Sequence, residues 1–205
     1  MHIFLDFDDV VFNTKEFIAD LQEKLYQSNG IKQSLFKRCY YDDKRDTQVP
    51  RVYSLEEHLS RIAEHTNIPC IELQKIGLQH LQTAHTYVFI DMLHFLAKHG
   101  KYTTLLSHGD TTFQSQKIAY SKITESVQSI LITTALKAEF LKNDAGTKKH
   151  FYFIDDRIHQ IEAIKKAFPH ATTIFVQRKE GRYTNRKTDF ADYMVENGND
   201  IISLL

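Results

Sequence analysis

The sequence predicts an α/β protein, a doubly wound (Rossmann-like) parallel sheet with an all-helical insert after its first strand. Two observations carry this. Short apolar runs rich in aromatic and β-branched residues alternate with helical patterns over most of the chain. Near the N-terminus, strand signal disappears for a long stretch and helix signal replaces it.

The predicted strands are His2–Phe7, Tyr102–Ser107, Ser129–Thr133, His150–Asp155 and Thr172–Gln177. They show little polar alternation, as expected of strands covered on both faces. Arg157–Phe168 sets Ile158, Ile161, Ile164 and Phe168 at helical spacing, and Pro169 stops it. Thr86–His99 carries an apolar stripe ending at Gly100, a C′ candidate. Inside the long gap, Thr14 opens a segment with Phe17, Ile18, Leu21 and Leu25 on one face, ending near Asn29 and Gly30. Ser54 and Glu57 form a capping box ahead of Leu55, Leu59, Ile62 and Ala63. Pro69 opens a further helix to about Gln82. A crossover between parallel strands needs only about a dozen residues. Residues 14–85 are therefore expected to form a helical cap over the sheet's C-terminal edge, on a core of residues 1–13 and 86–205.

Composition narrows the function. The chain has 205 residues, and 26 Lys and Arg balance 26 Asp and Glu. Such a chain has no global electrostatic pull toward nucleic acid or an anionic membrane, and neither partner is expected. Two cysteines, Cys39 and Cys70, make no disulfide framework and fit a reducing compartment. No apolar run approaches the ~18 residues of a membrane span. Asp6, Asp8 and Asp9 interrupt the N-terminal apolar stretch, so it does not read as a signal peptide. The expected location is cytoplasmic. The histidine pairs His80/His85 and His94/His99 are five apart, which places them on different helix faces, so surface or packing roles are expected rather than zinc ligation.

The chemistry-bearing residues stand at strand ends. Asp6 and Asp8 flank Phe7 and point the same way by period two. Alone, such a pair reads as strand-end acids or helix caps. Asp155 and Asp156 end the fourth predicted strand, and in a doubly wound sheet both clusters would face one crevice. Several carboxylates at one edge suit a hard divalent cation, Mg²⁺ above all. The ordinary reading of Asp155 and Asp156 is N-capping of the next helix. Ser107, His108 and Gly109 end the second strand, where a hydroxyl and a Gly-containing turn can offer donors to a phosphoryl oxygen. Lys137 follows the third strand and can neutralise both an anionic substrate and the acids.

In this order the four motifs resemble those of the haloacid-dehalogenase superfamily, in its phosphatase branch. They are Ile3-Phe4-Leu5-Asp6-Phe7-Asp8, Leu105-Leu106-Ser107, Lys137 and Phe153-Ile154-Asp155-Asp156. The resemblance covers about residues 1–13 and 86–177 and identifies the insert by position only. It implies a Mg²⁺-dependent phosphatase acting on a small phosphorylated metabolite. Asp6 would be the nucleophile and Asp8 the acid and base. Ser107, His108, Gly109 and Lys137 would bind the substrate, with Ser107 and Lys137 catalytic. Asp6, Asp8 (through its backbone carbonyl), Asp155 and Asp156 would hold the metal. The second acid favours phosphoryl transfer over dehalogenation, because halide leaves without a proton. Rival expectations are a phosphomutase or phosphotransferase on the same fold, and a phospho-acceptor switch or binding protein.

Some features depart from the pattern. Asp9 stands where the family usually has Gly, and Lys117 is an alternative to Lys137. The basic stretch Arg178–Lys187 reads as a solvated loop, or else as a patch for an anionic substrate tail or for a nucleotide stacked on Tyr183. The mixed segment Lys37–Arg45 reads either as a specificity surface or as an amphipathic exterior.

Overall fold

The computed structural model describes residues 1–40, 52–182 and 187–205. Tyr41–Arg45 and Tyr183, singled out above, lie outside the described residues. The strands are β1 (Ile3–Leu5), β2 (Thr103–His108), β3 (Ser129–Thr133), β4 (Tyr152–Asp155), β5 (Thr172–Val176) and β6 (Tyr193–Val195). They form one six-stranded sheet in the order β3-β2-β1-β4-β5-β6, parallel throughout. Ile3 lies opposite Thr103 on one side and Tyr152 on the other. β1 is therefore central, and the chain leaves it in one direction to β2 and β3, then crosses to β4. The carboxyl ends beside such a reversal form the crevice where α/β folds bind ligands.

Between β1 and β2 lie α1 (Thr14–Asn29), α2 (Gln33–Cys39), α3 (Leu55–Glu64) and α4 (Cys70–Leu81). They are followed by α5 (Ile90–His99), α6 (Thr111–Tyr120), α7 (Lys137–Phe140), α8 (Ile158–Ala167) and α9 (Gly198–Leu204). The pleat divides the core. Ile3 and Leu5 join one buried cluster with Met92, Phe95, Phe113, Ile118 and Ile201 of α5, α6 and α9. Phe4 joins the opposite cluster with Leu106, Phe153, Phe175, Ile161 and Ile164. Burying each such phenylalanine contributes about 1.5–3 kcal/mol. The first cluster also takes in Phe17, Leu21, Phe36, Leu59 and Leu73, so α1–α4 share one continuous core with that face of the sheet.

The chain enters and leaves this helical insert through a paired link. Asn13 N–H donates to Tyr87 O at 2.8 Å, Phe89 N–H donates to Val11 O at 3.0 Å, and Phe12 bridges Val88 antiparallel. This pairing shortens the helix expected over Thr86–His99. Ala84–Tyr87 is a 3₁₀ turn, and α5 begins only at Ile90. Gly100 is not the left-handed cap expected, for its φ is −58°. Its glycine is required by close approach, since a Cβ there would lie 1.8 Å from Ser126 O. α2, α7, β6 and α9 are additions to the predicted elements. β6 is a three-residue strand with Tyr193 and Met194 exposed, too short for a periodic signal. No helix of the described residues is long and apolar enough to cross a membrane.

Candidate active site

Every predicted catalytic carboxylate lies at the C-terminal edge of the sheet. Asp6 and Asp8 follow β1, Asp155 closes β4, and Asp156 follows it; all are buried. Lys137, the first residue of α7, is 1% exposed and reaches between two of them. Its Nζ donates to Asp6 Oδ1 at 2.5 Å and to Asp155 Oδ2 at 2.7 Å. Burial works against its charge, but the two carboxylates outweigh it and push the ammonium above its ordinary pKa. Burial also raises Asp6 to about 6, against the pull of Lys137 and with help from Asp155 and Asp8.

Asp8 is held separately. Its Oδ1 accepts from Thr14 Oγ1 at 2.5 Å and from Lys117 Nζ at 2.6 Å, and its Oδ2 accepts from Gln114 Nε2 at 2.7 Å. Burial alone would raise its pKa. The Lys117 ammonium, then Arg182, outweigh burial and hold the carboxyl well below the usual carboxylate range. The two candidate lysines therefore both belong to the site, with Lys137 on Asp6 and Lys117 on Asp8. The residue pattern does not announce Thr14 or Gln114. Gln114 reaches Asp8 across Gly109, where a Cβ would lie 2.8 Å from Gln114 Nε2. The Gly109 N–H itself donates to Thr133 O at 3.0 Å, inside the sheet rather than toward a ligand. His108 lines the cavity, and its Nε2 lies 3.2 Å from Thr134 O. Burial, then Arg157 and Lys137, lower its pKa.

Several polar groups lack partners among the described residues. Ser107 is fully buried at the end of β2, and its Oγ has no hydrogen-bond partner. Asp156 is 3% exposed, and neither of its carboxylate oxygens has one. It does not cap α8; Asp155 Oδ1 instead accepts from Arg157 N–H at 2.8 Å. Burial, reinforced by Asp6, Asp155 and Asp9, pushes Asp156 well above the usual range. Single oxygens of Asp6, Asp155 and Asp156 lie within 4.8 Å of one another. A buried charge without a partner is costly. Three hard oxygen donors at this spacing fit Mg²⁺, and the orphaned Asp156 is what such an ion would satisfy. The Asp8 side chain is committed to Lys117, Gln114 and Thr14 and does not join this cluster.

The basic stretch after β5 is not a solvated loop at its start. Arg178 is 5% exposed, donates from Nε to Val10 O at 3.0 Å and pairs with Asp91 at 2.9 Å. Arg182 donates from Nε to Asp9 Oδ2. Asp9 adopts φ 57°, the left-handed conformation that the usual Gly takes freely.

No protein-family model and no curated protein sequence matches the chain. Solved structures do. A Burkholderia xenovorans protein designated haloacid dehalogenase-like superimposes with a TM-score of 0.77 at 23% identity, over 100% of this chain and 97% of that one. The magnesium-bound HAD-hydrolase YfnB of Bacillus subtilis gives 0.65 at 11% identity, over 100% and 97%. The L-2-haloacid dehalogenase of Xanthobacter autotrophicus gives 0.65 at 13%, over 99% and 97%. The chain therefore has the haloacid dehalogenase-like fold along its whole length, a fold that carries hydrolases and dehalogenases alike.

Proposed function

We propose that this chain is a Mg²⁺-dependent hydrolase of a small phosphomonoester, acting through an aspartyl-phosphate on Asp6. The observation that carries the proposal is Asp156, buried beside Asp6 and Asp155 with both oxygens partnerless. An anionic nucleophile meeting an anionic phosphoryl group needs a cation there, whereas displacement of a halide from carbon does not.

Asp6 attacks phosphorus with the oxygen that Lys137 leaves unbonded, and Lys137 holds its other oxygen in place. Ser107 Oγ and Lys137 donate to the phosphoryl oxygens as charge moves onto them. Mg²⁺, when held by Asp6, Asp156, the backbone carbonyl of Asp8 and Asp155, supplies the positive charge that lets nucleophile and phosphoryl group approach. Asp8 serves the leaving oxygen. It is ionised in its resting contact with Lys117, so the departing oxygen draws its proton from this pair, across the 2.6 Å hydrogen bond. The attacking water then returns a proton to Asp8 as the aspartyl-phosphate is cleaved. Helices α1–α4 act as the cover over this edge. A cavity of ≈ 120 Å³ beside Asp8 is lined by residues of both insert and core, including Thr14, Tyr53, His108 and Gln114. A cavity of about 150 Å³ holds benzene, so the leaving group is small.

Phosphate release from a panel of phosphomonoesters and an aryl phosphate, with Mg²⁺ and with EDTA, tests the proposal in the wild type and Asp6→Asn. Mg²⁺-dependent release that vanishes in Asp6→Asn is expected. Folded protein that binds Mg²⁺ but releases no phosphate from any ester, or that frees halide from haloacids instead, would overturn it. Transfer to an acceptor without free phosphate would mark a phosphotransferase.

A further inference from the structure

The basic stretch after β5 and the unusual Asp9 make no bond to the reacting groups above, although Arg182 helps keep Asp8 ionised, and the two meet. Asp9 is 1% exposed and holds the left-handed φ of 57°. For a non-glycine residue such a conformation costs about 1 kcal/mol. Its Oδ2 accepts from Arg182 Nε. Arg182 in turn lines the cavity beside Asp8, together with Lys117 and Tyr53.

A purely structural role, tying the segment after β5 to the turn after β1, is already filled by Arg178. Arg178 holds Val10 O and Asp91, and its guanidinium lies 3.9 Å over the Phe89 ring. It does not line the cavity. Arg182 repeats the tie four residues later through a buried carboxylate in the left-handed conformation, and it differs from Arg178 in lining the cavity. The cavity adjoins Asp8, not Asp6. On the hydrolytic reading above, on which this inference rests, Asp8 marks the side of the leaving group. The guanidinium group is planar, and its forked geometry matches carboxylate or phosphate.

We infer that Arg182 binds an anionic group on the substrate's leaving group and that Asp9 is the residue that positions it. The substrate class is then a small phosphomonoester bearing a second anion, either a carboxylate or another phosphate.

The test compares kcat/KM for glycerol 3-phosphate, 3-phosphoglycerate and glycerol 1,3-bisphosphate, with an aryl phosphate as control for hydrolysis itself. A charge-assisted contact predicts a wild-type preference of about tenfold or more for an anionic leaving group over glycerol 3-phosphate. Which anionic ester wins tells carboxylate from phosphate. Arg182→Gln should bring the ratio to about one. Arg182→Lys keeps the charge without the fork and should retain part of it. Asp9→Asn should lower the ratio through KM rather than kcat. A wild type that hydrolyses the aryl phosphate but shows no preference, or a preference that Arg182→Gln and Arg182→Lys leave intact, overturns the inference and leaves the hydrolytic reading standing. If no ester is hydrolysed, that reading fails. Calorimetric titration with 3-phosphoglycerate then decides: about tenfold weaker binding in Arg182→Gln keeps the assignment, and equal affinity overturns it.

Discussion

Replacing Asp156 by asparagine should make the metal-free protein more stable while removing its response to Mg²⁺. Asp156 is 3% exposed, has no hydrogen-bond partner on either oxygen, and faces Asp6, Asp155 and Asp9. Burial, then those three acids, raise its pKa well above the ordinary value. The folded protein therefore binds more protons than the unfolded chain between the unfolded value of about 3.9 and the raised one. Stability contributed by this group is full below that window, falls as pH rises through it, and stays lost above. Asparagine has no charge to bury. An unpaired buried ion costs several kcal/mol and an unsatisfied neutral amide about 1–3 kcal/mol, so the exchange should gain about 2 kcal/mol. For a chain of this size that is a rise in Tm of about 4–8 °C. Saturating Mg²⁺ at a hundred times its Kd should add about 2.7 kcal/mol to the wild type, or about 5–11 °C. Calorimetry in EDTA and in Mg²⁺ at pH 6 and 8 should then show the variant melting higher without metal, most clearly at pH 8. The order should close or reverse with metal. A metal-free variant that melts below the wild type, or equal Mg²⁺ shifts in both proteins, would refute the placement of the cation.

The two lysines should separate by their partners. Lys137→Met removes the cation bonded to Asp6 and Asp155, and turnover should fall about 10²–10³-fold. Lys117→Met frees Asp8 to follow its burial upward, so the acidic limb of the pH–rate profile should move to higher pH. An abolished Lys117→Met beside an active Lys137→Met would reverse the assignment. His58 and His80 are buried, bond Phe36 O and Phe17 O, and are pushed down to about 4 by burial. The unfolded chain then binds more protons between pH 4 and 6.5, so their contribution is full above 6.5 and is lost as pH falls toward 4. Each loss amounts to about 3 kcal/mol. Denaturation midpoints at pH 7.5 and 4.5 should differ less in a His58→Gln, His80→Gln variant; an unchanged difference would show that these residues do not set the acid limit.

The sheet was legible because its strands are buried on both faces and read as apolar runs. β3 matches the expected Ser129–Thr133 residue for residue. The ladder covers only Ile3–Leu5 and Tyr152–Asp155, so β1 is shorter than expected at both ends and β4 at its start, while β4 ends at Asp155 as expected. β6 offered three residues at an edge, and two of them face solvent. In the site, residues that sit at strand ends could be placed by period and order alone. Gln114 and Arg182 could not, because each meets its carboxylate across a long-range contact, over separations of 106 and 173 residues; Thr14 is only six residues from Asp8, but their bond depends on the irregular turn between them. The sequence holds no periodic signature for such a meeting. Arg178 shows the limit of charge-run reasoning, since a solvated-loop residue became a buried tie once Asp91 and Val10 O lay within reach.

The fold is shared by proteins named as hydrolases and by a haloacid dehalogenase, so the choice of chemistry has to rest on side chains. Expelling a halide requires a carboxylate nucleophile and no proton for the leaving group. Expelling an alkoxide requires a proton, and bringing a phosphoryl dianion onto a carboxylate requires relief from repulsion. Two unit charges 4 Å apart repel by about 4 kcal/mol in a medium typical of a protein surface. This chain commits Thr14, Gln114 and Lys117 to a second carboxylate that a dehalogenation would leave idle. It also buries Asp156 where Lys137 is already occupied by Asp6 and Asp155. On the proposed reading, Asp8 handles the leaving-group proton and Asp156, whose oxygens have no hydrogen-bond partner among the described residues, helps hold the metal, the two things phosphoryl transfer needs beyond the nucleophile. Their joint presence supports the phosphatase reading over the halide one.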